Sequence, residues 1–157
     1  MCGDEFLRSE SIEGPWTLVT KLNHEGGPYG VFEDPYLFTD ARSHFHCLYH
    51  VYDTSADKSQ CVNSTVSAHI YSEDGFEWHT SPVQPYTTQI ELVTGETVTV
   101  STRERPRLVF DAATGRPTHL INGVCSAASC PEVATGCVDC KYTHEDYTLV
   151  MPLAFTG

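Results

Sequence analysis

An all-β chain of short strands is what this sequence predicts, and three observations lead there. Segments rich in aromatic and β-branched residues recur along the chain and alternate at a period of two. Clusters of Gly, Pro, Asp and Thr separate them at short intervals. No stretch combines sustained 3.6-residue apolar periodicity with helix caps.

Taken in order, Trp16-Thr17-Leu18-Val19-Thr20 reads as a short strand entered through Gly14-Pro15. Phe45 to Val51 has strand composition, and Val66 to Tyr71 reads as another strand. The turn Glu73-Asp74-Gly75 follows, before Phe76-Glu77-Trp78. Thr87 to Val93 and Thr97 to Thr102 alternate, and Thr94-Gly95-Glu96 between them predicts a hairpin loop. Leu108-Val109-Phe110 and Thr118 to Ile121 flank a turn at Asp111 to Gly115, and Tyr147 to Met151 closes the series.

At 157 residues, 40% of them apolar, the chain fits one domain with enough mass to bury a core. No apolar run approaches the roughly 18 residues a membrane span needs. Nine Lys plus Arg against 21 Asp plus Glu leave a net charge of −12. A nucleic-acid binder needs clustered cations to neutralise phosphates, so nucleic acid and anionic membranes are not expected partners. Neutral ligands such as sugars stay open. Met1-Cys2-Gly3-Asp4-Glu5 has neither a basic start nor an apolar stretch, so no signal peptide is visible. Seven cysteines and the N-glycosylation acceptor Asn63-Ser64-Thr65 nevertheless point to an oxidising compartment and a secreted, extracellular protein. The expected N-terminus then lies upstream of Met1.

An internal repeat narrows the architecture. Glu33-Asp34-Pro35-Tyr36-Leu37-Phe38-Thr39-Asp40-Ala41 recurs as Glu104-Arg105-Pro106-Arg107-Leu108-Val109-Phe110-Asp111-Ala112, with Glu, Pro, Leu, Asp and Ala matched at an offset of 71. Each copy passes through a polar turn into a β-rich segment, Phe45 to Tyr49 and Pro117 to Ile121. Self-similarity at this spacing is what a four-stranded β-propeller blade with enlarged loops would leave. Roughly 70 residues per blade allow about two blades, whereas propellers have about four to eight. Residues 1–157 are therefore expected to be a partial propeller domain with a Cys-rich insertion at about 125–140. The missing blades would come from the same chain or from another subunit.

Four phrases carry a family resemblance. They are "SESIEGPW" at Ser9 to Trp16, "EDPYLFTD" at Glu33 to Asp40, "SEDGFEW" at Ser72 to Trp78 and "ERPRLVFD" at Glu104 to Asp111. In order and spacing they resemble the five-bladed propeller glycosidases: the arabinanase and xylosidase group of glycoside hydrolase family 43, and the related furanosidases of the family 32 type. The resemblance implies inner strands that deliver carboxylates to a central funnel. Glu104, in an E-x-P position, matches the general acid, and Asp34, in a D-P position, matches a supporting Asp. Glu33 is their neighbour, and His46 would hydrogen-bond sugar hydroxyls from the funnel wall. The remaining Asp of that family has no counterpart between Met1 and Val31, since Asp4 sits in no D-P motif. By strand parity Arg103, Arg105 and Arg107 share the face opposite Glu104. The chemistry needs a proton for the leaving oxygen and an opposed base or nucleophile.

Other candidates stand beside these. Cys125, Cys130, Cys137 and Cys140 are read as disulfide formers, with zinc and a Cys137–Cys140 redox pair as alternatives and three pairings open. Cys47, among apolar neighbours, reads as a buried thiol. His44, His46 and His50 share one strand face, but their span of roughly 20 Å is too long for one ion. Trp16, Trp78, Tyr36 and Phe38 are read as core, with sugar stacking as the alternative. No cofactor and no metal site are expected. The functional expectation is a glycosidase-like propeller that hydrolyses or recognises a polysaccharide. The alternatives are a non-catalytic carbohydrate-binding propeller and a disulfide-stabilised structural or interaction domain.

Overall fold

The computed structural model describes residues 5–21, 31–52, 67–126 and 146–153. These residues are all-β, with no helix among them, in several small antiparallel sheets, and no sheet among them closes into a barrel. Among the described residues no helix is long and apolar enough to cross a membrane.

Strands β1 (Glu5–Arg8) and β2 (Thr17–Lys21) form a two-stranded ribbon. The first four-stranded sheet is a meander, β3 (Val31–Thr39), β4 (Phe45–Tyr52), β5 (Ser67–Ser72) and β6 (His79–Thr80). The second is also a meander, β7 (Gln89–Glu91), β8 (Thr97–Phe110), β9 (Pro117–Ser126) and β10 (Asp146–Pro152). The first sheet lies between the ribbon and the second sheet. One of its faces carries Phe32, Cys47, Tyr49, Val51, Ala68 and Ile70, with Phe6 and Trp78 packed on them. The other carries Leu48, Tyr36 and Phe38, which meet Tyr86, Leu108 and Leu120. Burial on both faces explains why Cys47 to Val51 is an unbroken buried run rather than an alternating one.

The repeat is a backbone repeat. Its matched Asp does the same work in both copies. Asp40 Oδ1 accepts the N–H groups of Arg42 (2.9 Å) and His44 (3.0 Å), closing the β3–β4 turn. Asp111 Oδ1 accepts those of Ala113 (3.1 Å) and Thr114 (2.7 Å), closing the β8–β9 turn. The two copies also face the same way. Leu120, Asn122 and Val124 hold the register positions on β9 that Cys47, Tyr49 and Val51 hold on β4. Leu120 packs towards the first sheet, as Cys47 packs towards the ribbon.

The S-x-D-G-x-x-W phrase is turn chemistry. Ser72 Oγ accepts Gly75 N–H (2.8 Å), Asp74 Oδ1 accepts Phe76 (2.8 Å) and Glu77 (3.0 Å), and Trp78 Nε1 donates to Gly75 O (3.1 Å). Phe76 to Trp78 is thus turn rather than strand, and pairing resumes only at β6. One further expectation needs correcting. Thr97 to Thr102 and Leu108 to Phe110 are one continuous strand, β8, which tolerates Pro106 because a bulge there asks for no ladder N–H. Strand β1 carries no alternating apolar pattern that would reveal it.

Candidate functional site

The Glu-x-Pro segments have unusual geometry. Asp34 has φ of 50° and Arg105 has φ of 52°, both left-handed and both at the middle residue of the motif. In each copy one extra residue slips into the ladder here, between Glu33 and Tyr36 on β3 and between Glu104 and Arg107 on β8. Proline cannot donate to a ladder, and a bulge leaves one residue unpaired, so the two features suit each other. The consequence is chemical. Neighbouring residues of a regular strand point to opposite faces, whereas across such a bulge their side chains can converge.

They do converge in both copies. Arg105 Nη1 lies 3.1 Å from Glu104 Oε2. This corrects the parity reading that turned Arg105 away from Glu104, because the left-handed residue breaks the alternation on which that reading depends. In the first copy one carboxylate oxygen each of Glu33 and Asp34 and one ring nitrogen of His50 lie within 4.8 Å of one another. His50 is the Cα partner of Glu33 across β3–β4, with Nδ1 3.8 Å from Glu33 Oε2.

Tyr86 connects the two motifs. It is 4% exposed, donates its hydroxyl proton to Tyr49 O (3.3 Å), and exchanges backbone hydrogen bonds with the Ser67 hydroxyl. Burial raises the phenol well above its ordinary pKa; Arg103 opposes this, and the charges of Asp34 and Glu104 both add to it. Arg103, 1% exposed, lies over the Tyr86 ring at 4.9 Å. It donates to Asn122 Oδ1 (2.9 Å) and Thr87 O (3.0 Å), while Asn122 Nδ2 donates to Glu104 O (3.2 Å). Burial lowers the Arg103 pKa, with Tyr86 acting against it. The backbone beneath Glu104 is therefore anchored to a buried polar network.

His46 lies elsewhere. Four residues before His50, it is roughly 13 Å away along β4. Its Nδ1 is 2.9 Å from His69 Nε2, its Nε2 is 3.5 Å from Asp40 Oδ2, and its ring stacks on Phe38 at 5.1 Å. These groups line a cleft of about 540 Å³ between the sheets, with Leu108, Phe110 and Leu120. His69 is pushed down to about 4 by burial and by His46. His44 contributes its backbone to the Asp40 turn.

Tyr36 and Phe38 pack in the inter-sheet core, and Trp78 packs on Phe6 at 4.1 Å. Trp16 is 54% exposed beside a groove of about 400 Å³ that Phe6, Leu37 and Phe76 also line. Cys47 is a buried free thiol, pushed up to about 11 by burial. Cys125 is disulfide-bonded. Cys130, Cys137, Cys140 and Asn63 lie outside the described residues.

Sequence reasoning missed Tyr86, Arg103, Asn122, His69 and the place of His50. Only His50 had a usable signal, since folding β3 onto β4 about the Asp40 turn brings it opposite the Glu33–Asp34 pair. No family model, no curated protein and no solved structure matches the chain.

Proposed function

We propose that the two meanders are blades of a propeller, and that the chain acts on or recognises a carbohydrate through carboxylates on the matched strands β3 and β8. The observation that carries this reading is the buried network that runs from Glu104 O through Asn122 and Arg103 to Tyr86, whose hydroxyl bonds Tyr49 O, next in the chain to His50 of the Glu33–Asp34–His50 group. Acids from two successive repeats bear on one region instead of dispersing over outer surfaces. Head-to-tail stacking supports the propeller half of the reading: each meander turns its equivalent face to the element before it. A further blade, from the same chain or another subunit, would continue that stack. In this proposal Glu104 is the proton donor to the leaving oxygen, and Asp34 is the supporting acid. Glu33 contacts substrate beside them, and a secreted setting accommodates the disulfide at Cys125.

The test is turnover of aryl glycosides whose unactivated phenol needs a proton to leave, by the chain and by Glu104→Gln. Loss of at least about a hundredfold in rate, with sugar binding retained, is the result expected of a general acid. Equal turnover in the two proteins removes Glu104 from that role. Sugar binding with no turnover in either would replace hydrolysis by recognition.

A further inference from the structure

The two copies of the repeat share a backbone device and carry opposite charge on it. In the second copy the left-handed residue is Arg105, and its guanidinium pairs with Glu104 at 3.1 Å. It does so above Gly123, the Cα partner of Glu104, where an added Cβ would stand 3.9 Å from Arg105 Nη1. In the first copy the left-handed residue is Asp34, and the Cα partner of Glu33 is His50. An acid balanced by a guanidinium in one copy thus faces a second acid and an imidazole in the other.

His50 is 7% exposed, and its Nδ1 is shut off from solvent without a hydrogen-bond partner. Glu33 Oε2, at 3.8 Å, is beyond hydrogen-bonding length. Buried polar atoms are nearly always bonded, and buried charges are paired or ligate metals. We propose that Glu33, Asp34 and His50 form a binding site for one divalent cation, which takes the place that Arg105 fills in the second repeat. The three ligand atoms lie within 4.8 Å of one another, close enough to share one ion. Two carboxylates suit Mg²⁺, Ca²⁺ or Mn²⁺, and an imidazole suits transition ions, so Mn²⁺ meets both kinds of donor. Water completes the coordination. The site rests on the first repeat's own geometry and does not require the hydrolase reading.

The test is a titration of the whole 157-residue chain with Mn²⁺, following the electron-spin signal of the free ion. Mn²⁺ is chosen over Zn²⁺ because thiolates select the softer metal. Asp34→Asn is the principal variant, since Asn is among the residues that most readily hold a left-handed backbone. Glu33→Gln and His50→Gln accompany it, and His46→Gln is the control. Saturable binding of one ion per chain is expected. Loss of an outer-sphere partner already costs about 10–100-fold in affinity, so each ligand variant should weaken binding by at least about tenfold. The control should bind as the parent does. If His50→Gln fails to fold, Asp34→Asn and Glu33→Gln still decide the matter. No saturation by millimolar Mn²⁺, or parent-like affinity in Asp34→Asn, overturns the proposal. Because the readout is ion binding, either result leaves the aryl-glycoside experiment to stand or fall alone.

Discussion

Asn122 is the residue whose loss should reveal how the Glu104 strand is held. It is fully buried and bonds in two directions, accepting from Arg103 Nε at 2.9 Å and donating to Glu104 O at 3.2 Å. Asn122→Ala would strip a buried guanidinium of an acceptor, and a hydrogen bond to a charged group contributes about 1.5–3 kcal/mol. It would also remove the Asn122 Nδ2 bond to the Glu104 carbonyl, a further contribution of about 0.5–1.5 kcal/mol. Among the described residues Arg103 has no carboxylate partner to absorb the loss; its other bonds go to Thr87 O and Met151 Sδ. The expected destabilisation is roughly 2–4 kcal/mol, from the loss of these two buried hydrogen bonds together. Urea unfolding followed by tryptophan fluorescence measures it, as a lower midpoint at unchanged slope. A change below about 1 kcal/mol would refute the reasoning, because it would mean that Arg103 finds water or another acceptor without cost.

Two smaller predictions follow from local geometry. Gly75 has φ of 81° and a would-be Cβ 3.2 Å from Phe45 Cε2, whereas Gly95 has φ of 82° with nothing within 4 Å. Gly75→Ala should therefore cost about 1–3 kcal/mol, and Gly95→Ala less, near the backbone strain alone, as read from paired thermal melts. Equal losses would show that the Phe45 ring is not a fixed wall. His69, buried in the inter-sheet cleft, has its pKa lowered to about 4. Its neutral form is favoured in the folded state, so its stabilising contribution is complete above about pH 6.5 and is lost as pH falls towards 4. His69→Gln should flatten the stability–pH slope in that window, and the ring's NMR signals should titrate near 4 in the parent. A midpoint near 6.5 would place the ring in water.

Much of the fold is legible without coordinates because turns and alternation are local properties. Gly95 between Thr94 and Glu96 announces a hairpin, and Asp40 and Asp111 each begin a polar turn whose hydrogen bonds span only a few residues. The repeat is legible for the same reason. Its matched Glu, Pro and Asp are the residues that build the bulge and close the turn. Parity, by contrast, failed at Arg105, because no alternation rule foresees one left-handed residue inside a strand. The length of β8 was hidden by the same residue and by Pro106, which ordinarily marks a strand's end.

By itself, then, the sequence determined the all-β class, the paired Glu-x-Pro segments and the acids they carry, all of which depend on neighbours a few positions apart. Only the tertiary structure decided that Glu33 and Asp34 turn towards His50, that Glu104 pairs with Arg105, and that Tyr86 joins Tyr49 O to the Arg103–Asn122 network beneath Glu104. Those relations arise from a one-residue slip in each ladder and from packing between sheets. A side chain's direction after a bulge, and its neighbours across a core, are properties of the assembled backbone rather than of residue order.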